Sequence, residues 1–331
     1  MRKIPLAAIR DAAASIYPVV TRTPLVRLPL TPDVSDRLAG SEIYLKLEVL
    51  QPIGSFKIRG AYNAIRQMSK EELADGVWTV SAGNAAQGVA LAARTAGVPC
   101  SVMVMDTAPA AKLQAIQRLG ASIVQVTYDE CWKTVESHYS DRMRGRLIHP
   151  FDDDRFIAGN GTAGLEILED LPDVDAVVAP LGGGGLLAGV ASAVRQLRPE
   201  VEVFAAEPET AAPFDISLKK GEPSYFDQWR ASFVDGAGGR SVLPTMWPLL
   251  KDLLAGSIVV SLGDVAAAMK LTAERVHVIA EGAAACAVAA ALSGSVRKRH
   301  TSGGRGLKIV AVVSGGNIDL SKFASLVGAC A

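Results

Sequence analysis

Apolar residues along this 331-residue chain fall into short, β-branched runs separated by longer stretches with helical spacing. The runs at 43–47, 77–80, 101–105, 122–126, 176–179, 201–205, 257–260 and 308–313 read as strands. Most are continuous rather than alternating, which is the pattern of parallel strands covered on both faces. Between them, 85–95, 109–119, 157–169 and 186–197 repeat apolar residues at helical intervals. Pro109 suits the first turn of its helix, and Gly97 and Gly120 stand where helices should stop. Strand–helix repetition of this kind predicts a doubly wound α/β architecture with helices on both faces. The stretch 211–242 has weak periodicity, and 236–239 and 302–304 read as glycine loops.

Composition narrows the function classes. Apolar residues are 49% of the chain and charged residues 21%, ordinary values for a globular protein with a large core. The 34 basic and 34 acidic residues cancel, which removes any global pull toward nucleic acid or a membrane. The run Arg297-Lys298-Arg299 reads as a solvated helix end. Cys100, Cys131, Cys286 and Cys330 are scattered and form no C-x-x-C pair, against a disulfide framework or a zinc site of ordinary spacing. Pro5, Arg10 and Asp11 interrupt the N-terminal apolar stretch, so export is not expected, and 283–292 is too short to span a bilayer. A cytoplasmic enzyme is the expectation.

Four segments concentrate unusual residue choices. In GSFKIRG, Gly54 to Gly60, a lysine opens a helix, where the positive end of the helix dipole lowers its pKa toward the neutral amine that Schiff-base chemistry needs. SAGNAAQG, Ser81 to Gly88, follows a strand and opens a helix, exposing backbone N–H groups suited to a carboxylate, or serving simply as a turn capped by Asn84. PLGGGGLLAG, Pro180 to Gly189, allows close backbone approach at a helix N-terminus and suits a phosphate. It lacks the Gly-Lys-Ser/Thr of a Walker loop and the spacing of a dinucleotide fingerprint. VVSGGN, Val312 to Asn317, places Ser314 at a strand end, where ligands of α/β sheets bind.

In order along the chain, TPL from Thr23, YLKLEVLQPIGSFKIRGA, SAGNAAQG, GGGGL, AAEP, EGAAA and SGGN together resemble the fold-type II pyridoxal-phosphate enzymes, specifically the threonine/serine dehydratase and serine racemase family. The resemblance implies a tryptophan synthase β-like, two-domain α/β fold of parallel twisted sheets. Residues 1–72 plus 153–331 would form a large cofactor domain and 73–152 a small mobile one. It implies that Lys57 carries pyridoxal 5'-phosphate with Phe56 beside its ring. Asn84 would meet the ring oxygen, with Glu281 near the ring and Ser314 at the pyridine nitrogen. Gly182, Gly183, Gly184, Gly185 and Leu186 would hold the phosphate, and Ser81, Gly83, Asn84 and Ala85 would grip the substrate carboxylate. The implied reaction converts a small L-β-hydroxy amino acid to a 2-oxo acid and ammonium, in a homodimer without a C-terminal regulatory domain.

Two positions depart from the family pattern. Ala85 stands where a histidine is usual, which leaves room for another β-substituent such as that of hydroxyaspartate or phenylserine. Ala82 stands where the racemase branch carries its opposite-face serine, so racemisation should be feeble. Glu207 matches the first ligand of a Mg²⁺ or Ca²⁺ site in some relatives, but Pro213 falls where an aspartate is expected. Other readings left open are serine racemase, β-replacement of the cysteine synthase type, and a catalytically silent amino-acid sensor.

Overall fold

The protein is described from a computed structural model covering residues 2–299 and 306–329. Its strands are β1 (Leu25–Arg27), β2 (Glu42–Lys46), β3 (Val77–Val80), β4 (Cys100–Met105), β5 (Ser122–Val126), β6 (Arg146–Leu147), β7 (Ala176–Pro180), β8 (Glu202–Pro208), β9 (Gly256–Val260) and β10 (Lys308–Val312). They form two sheets, ordered β1-β2-β10-β7-β8-β9 and β5-β4-β3-β6. All pairs are parallel except β1 with β2. Each of the eight expected strands is present. β1 and β6 are the additions, three and two residues long, and both owe their form to the strand beside them.

The continuous apolar runs are explained by double-sided burial. Along β7, Val177 and Ala179 enter one hydrophobic cluster while Ala176 and Val178 enter another. β10 divides in the same way, with Val310 and Val312 on one face and Ile309 and Ala311 on the other. The Gly185–Leu197 helix covers the first face and the alanine-rich Gly282–Leu292 helix the second. Each fully buried valine or isoleucine contributes about 1.5–3 kcal/mol, and the strand period of two divides that gain between the two layers. Ten of the eleven residues in Gly282–Leu292 are buried, as an all-apolar helix requires.

The expected helices occur as Asn84–Ala96, Ala110–Arg118, Asp154–Asp170 and Gly185–Leu197. Gly97 closes the first in the left-handed conformation, φ +71°. Pro109 is the extended residue before its helix rather than a member of the first turn, since its ψ of 139° is not helical. Asn84 is likewise the first helical residue, with Gly83 in the cap position. Within the weakly periodic 211–242 stretch lie the Pro213–Lys220 helix and a 3₁₀ turn at Asp235–Ala237. That turn is packed rather than free: Ala237 is buried and the Gly236 carbonyl abuts Gly182. Arg297-Lys298-Arg299 falls in a short helix, Ser295–Arg299. Cys100, Cys131 and Cys286 are buried thiols, and Cys330 and the 302–304 loop lie outside the described residues. Among the described residues, no helix is long and apolar enough to cross a membrane.

Candidate active site

The signature segments converge because each follows the carboxyl end of a strand. Ser81–Asn84 follows β3, Leu181–Gly185 follows β7, and Val313–Asn317 follows β10. Lys57 opens the Lys57–Arg66 helix, and its segment is tied to the last strand's extension. Phe56 N–H donates to the Ser314 carbonyl at 3.0 Å, and Ser55 bridges to Gly315.

Lys57 Nζ donates to the Pro150 carbonyl at 2.5 Å and lies 5.1 Å and 5.4 Å from the Phe56 and Phe156 ring centroids. Burial lowers its pKa to about 7. The direction matches the sequence expectation, but the cause is desolvation by these rings and the surrounding backbone rather than the helix end. Reaction of the cofactor-free protein with pyridoxal phosphate is therefore expected to accelerate as pH rises through about 7 and to level off above it. Stopped-flow absorbance checks this, and an inflection near the ordinary lysine value of 10.5 would contradict it.

The residue after Pro150 supports the glycine loop. A Cβ on Gly183 would lie 2.2 Å from the Phe151 ring, and one on Gly185 would lie 2.8 Å from the Phe151 carbonyl. Gly184 holds φ +90°, which L side chains rarely adopt. Only glycine therefore lets the loop run against Phe151 at the head of the Gly185–Leu197 helix. His149 shapes this turn, a role that sequence reading missed. Its Nδ1 accepts from Asp152 N–H at 2.7 Å and Phe151 N–H at 3.3 Å, so Nε2 is the nitrogen that donates to the Val135 carbonyl, 3.1 Å away. Burial and the neighbouring His138 lower its pKa to about 4, which keeps it neutral.

Across the cleft, Asn84 Nδ2 donates to Glu281 Oε1 at 2.8 Å, while Asn84 Oδ1 accepts from Asn317 Nδ2 at 2.7 Å. Asn317 also donates to the Ile53 carbonyl at 2.8 Å, linking three signature segments through one amide. Burial, reinforced by the charge of Asp235, raises Glu281 to about 7. Ser81 Oγ accepts from Gly83 N–H at 3.1 Å and so shapes its own turn. Ala85 is buried, whereas Ala82 is half-buried. Ser314 is buried at the end of β10.

A second missed constellation lies beneath Lys57. The fully buried Arg59 donates to both oxygens of Glu48 at 2.7 Å and to Glu166 at 2.7 and 2.9 Å. Lys46 pairs with Glu166 at 2.7 Å, and Thr23 donates to Glu48 at 2.6 Å. Lys46, Glu48 and Arg59 of the YLKLEVLQPIGSFKIRGA signature thus join Glu166 in a buried ion network, with Asp170 at its edge 3.5 Å from Lys46.

Glu207 is also satisfied within the protein. Its carboxylate accepts from the Phe214 and Asp215 N–H groups at 2.8 and 2.9 Å and from Ser257 Oγ at 2.5 Å. Pro213 offers no side-chain oxygen, and Asp215 pairs with Lys219 at 2.6 Å. Among the described residues, no group of three or more carboxylate, histidine or cysteine side chains could hold a metal. These donors do not fit a divalent cation at Glu207. They cap the Pro213–Lys220 helix instead.

Pyridoxal phosphate, by contrast, fits the residues present. The site offers a low-pKa amine, a glycine loop that tolerates no Cβ, and a buried Ser55 hydroxyl without a partner among the described residues. The chain belongs to the pyridoxal-phosphate dependent enzyme family, whose model matches residues 16–315. It is 38% identical to the L-threonine ammonia-lyase of Thermotoga maritima, over 96% of this chain and 77% of that protein. It is 36% identical to the serine racemase of Dictyostelium discoideum, over 98% of each. The structure of maize serine racemase superposes with a TM-score of 0.88 at 33% identity, covering 98% of this chain and 97% of that one. The α/β architecture with two sheets is that of the fold-type II enzymes.

Proposed function

We propose that the protein is an ammonia-lyase that converts a small L-β-hydroxy amino acid of the threonine or serine type to a 2-oxo acid and ammonium. The observation that carries this reading is the Lys57 amine, held near pKa 7 in a cleft bounded by the glycine loop, Ser314 and the head of the Asn84–Ala96 helix. When bound there, pyridoxal phosphate supplies the electron sink for breaking the substrate's Cα–H bond. Gly182, Gly183, Gly184, Gly185 and Leu186 would hold its phosphate on backbone N–H groups, and Phe56, Asn84, Glu281 and Ser314 would lie about its ring. Backbone N–H groups from Ser81 to Ala85 take the substrate carboxylate at the helix head.

Lys57 Nζ, neutral at physiological pH, accepts the α-proton. A serine hydroxyl at Ser314 would hydrogen-bond a ring nitrogen without delivering a full proton, and would leave negative charge at Cα only weakly stabilised. Prompt departure of a β-leaving group is favoured over transamination. The β-hydroxyl leaves as water, and the released enamine takes water back on hydrolysis to 2-oxo acid and ammonium, so the balance closes. The lobe of residues 73–152 closes on residues 1–72 plus 153–331. The Lys112–Asp235 ion pair, 2.7 Å long and exposed, supports closure by joining the two sides. A homodimer working in the cytoplasm completes the reading, and sedimentation at twice the chain mass tests the dimer.

The reaction is tested by supplying purified holoenzyme with threonine, serine, hydroxyaspartate and O-acetylserine plus sulfide. Equal yields of 2-oxo acid and ammonium from a hydroxy amino acid support the lyase. Cysteine formation points to β-replacement, and binding without turnover points to a sensor. Ala82 argues against racemisation, because no hydroxyl stands at that position to deliver a proton to the opposite face. Ala82→Ser is accordingly expected to raise D-serine formation from L-serine at least about 100-fold, the lower end of what one positioned acid/base contributes. Chiral chromatography checks this, and comparable D-serine output from the unaltered enzyme would overturn the assignment.

A further inference from the structure

Between the carboxyl ends of β3 and β4 and the Tyr128–Ser137 helix lies a cavity of about 160 Å³. Ser81, Ala82, Met105, Tyr128, Cys131 and Trp132 are among its walls, and no charged residue lines it. Its polar-capable walls are already occupied or neutral. Trp132 Nε1 donates to Glu136 at 2.8 Å along its own helix, leaving the ring's carbon surface for the cavity. Cys131 is a buried thiol whose pKa burial pushes up to about 11, so it behaves as a small apolar group. An apolar cavity of about 150 Å³ is large enough to take benzene.

The cavity borders the loop that leads into the Asn84–Ala96 helix. Ser81 and Ala82 directly precede Gly83 and Asn84, and Ser81 Oγ holds the Gly83 N–H. Tyr128 faces the opposite lobe: the Arg240 guanidinium lies 4.9 Å from its ring centroid and 4.1 Å from that of Trp229. Arg240 directly follows the 236–239 segment, whose Gly236 carbonyl abuts Gly182 of the glycine loop. One wall of the cavity is therefore the loop assigned to the substrate carboxylate, and another reaches the cleft between the lobes. The room for a large substituent lies beside half-buried Ala82, not beside buried Ala85.

We propose that this cavity receives the substrate's β-substituent and selects an aryl or branched-alkyl group, so that bulky 3-hydroxy amino acids of the 3-phenylserine kind are processed in preference to threonine and serine. The proposal rests on the β-elimination reading above and replaces its small side chain with a bulky one in the preferred substrate. A well-filled apolar pocket discriminates by about 10–200-fold. For the holoenzyme, kcat/KM for L-threo-3-phenylserine is expected to exceed that for L-threonine at least about 10-fold, within that range. In Cys131→Phe, which fills the cavity from the Tyr128–Ser137 helix, the phenylserine-to-threonine ratio should fall by a similar factor. A wild-type preference for threonine, or a ratio unmoved in the variant, would overturn the subsite.

Binding separates this proposal from the reaction itself and needs no variant. L-Phenylalanine has no β-leaving group, and calorimetry with the wild-type holoenzyme should show it binding at least about 10-fold tighter than L-alanine if its ring is buried in the cavity. Equal or weaker binding refutes the subsite. Tight phenylalanine binding without deamination of any 3-hydroxy amino acid leaves the subsite standing and removes the lyase reading.

Discussion

Lys57→Ala is expected to lower turnover by more than about 10⁴-fold, the upper end of what general-base catalysis alone contributes, because the same amine also anchors the cofactor. The imine absorbance of the purified protein should disappear, and borohydride should leave position 57 unlabelled. The variant should still fold. Position 57 sits at the first turn of its helix, and its amine makes one hydrogen bond, to the Pro150 carbonyl. In the cofactor-free protein, replacing this lysine is expected to be stabilising at low pH. With a folded-state pKa of about 7 against 10.5 for the ordinary lysine, the unfolded chain binds more protons between those values. Stability therefore rises with pH across that window, and the full penalty for Lys57 is present below about 7. Lys57→Met should raise the unfolding midpoint at pH 6 and have little effect near pH 10. Thermal melts of apo protein at the two pH values decide it, and a midpoint lowered at pH 6 would show that the amine is not buried at a cost.

The largest loss of stability is expected from Arg59→Met. The guanidinium sits between Glu48 and Glu166 with no exposed surface, and removing it leaves two buried carboxylates facing one remaining cation, Lys46. Breaking a buried pair from one side costs about 3–5 kcal/mol, because the surviving charge keeps its desolvation penalty. Burial opposes the charge on Arg59, yet the two carboxylates outweigh it and hold its pKa above the ordinary value. Arg59→Met should lower the urea midpoint substantially and release Lys57 from its fixed position two residues away. Arg59→Met combined with Glu48→Gln restores charge balance, and part of the stability should return. A destabilisation of Arg59→Met under about 1 kcal/mol, within the range of exposed pairs, would mean the network is wet.

These two predictions concern residues two positions apart in a single signature, and they show how far sequence reading reaches. Lys57 was legible because a lysine at a helix start after a small-residue turn is an unusual choice with a chemical use. The function of Arg59 was not. Its partners lie 11 and 107 positions away, and no local pattern pairs Arg59 with Glu166. His149 and Phe151 were silent for the same reason: their partners are Val135, the glycine loop and each other's backbone, brought together by a turn between the sheets. At Glu207 the AAEP motif left a cation open, and the fold gives the carboxylate two backbone N–H groups and a serine hydroxyl as partners.

Local pattern determined the strands and most helix limits, and the resemblance of the ordered motifs to a family supplied the class of chemistry. Continuous β-branched runs such as 176–179 and 308–313 suit strands buried on both faces, whereas 122–126 became a partly exposed edge strand. A tetrad of glycines at a helix head suits close backbone approach. Order within each sheet was decided only in three dimensions, as were the edge strands β1 and β6, whose few residues carry no periodicity of their own. The depression of the lysine amine was also a tertiary outcome: two phenylalanine rings and the Pro150 carbonyl exclude water from it, and Pro150 lies 93 positions away along the chain. The cavity beside Ala82 belongs to the same category. Its walls come from two strands and a helix, and volume is a property of how they pack rather than of any one segment.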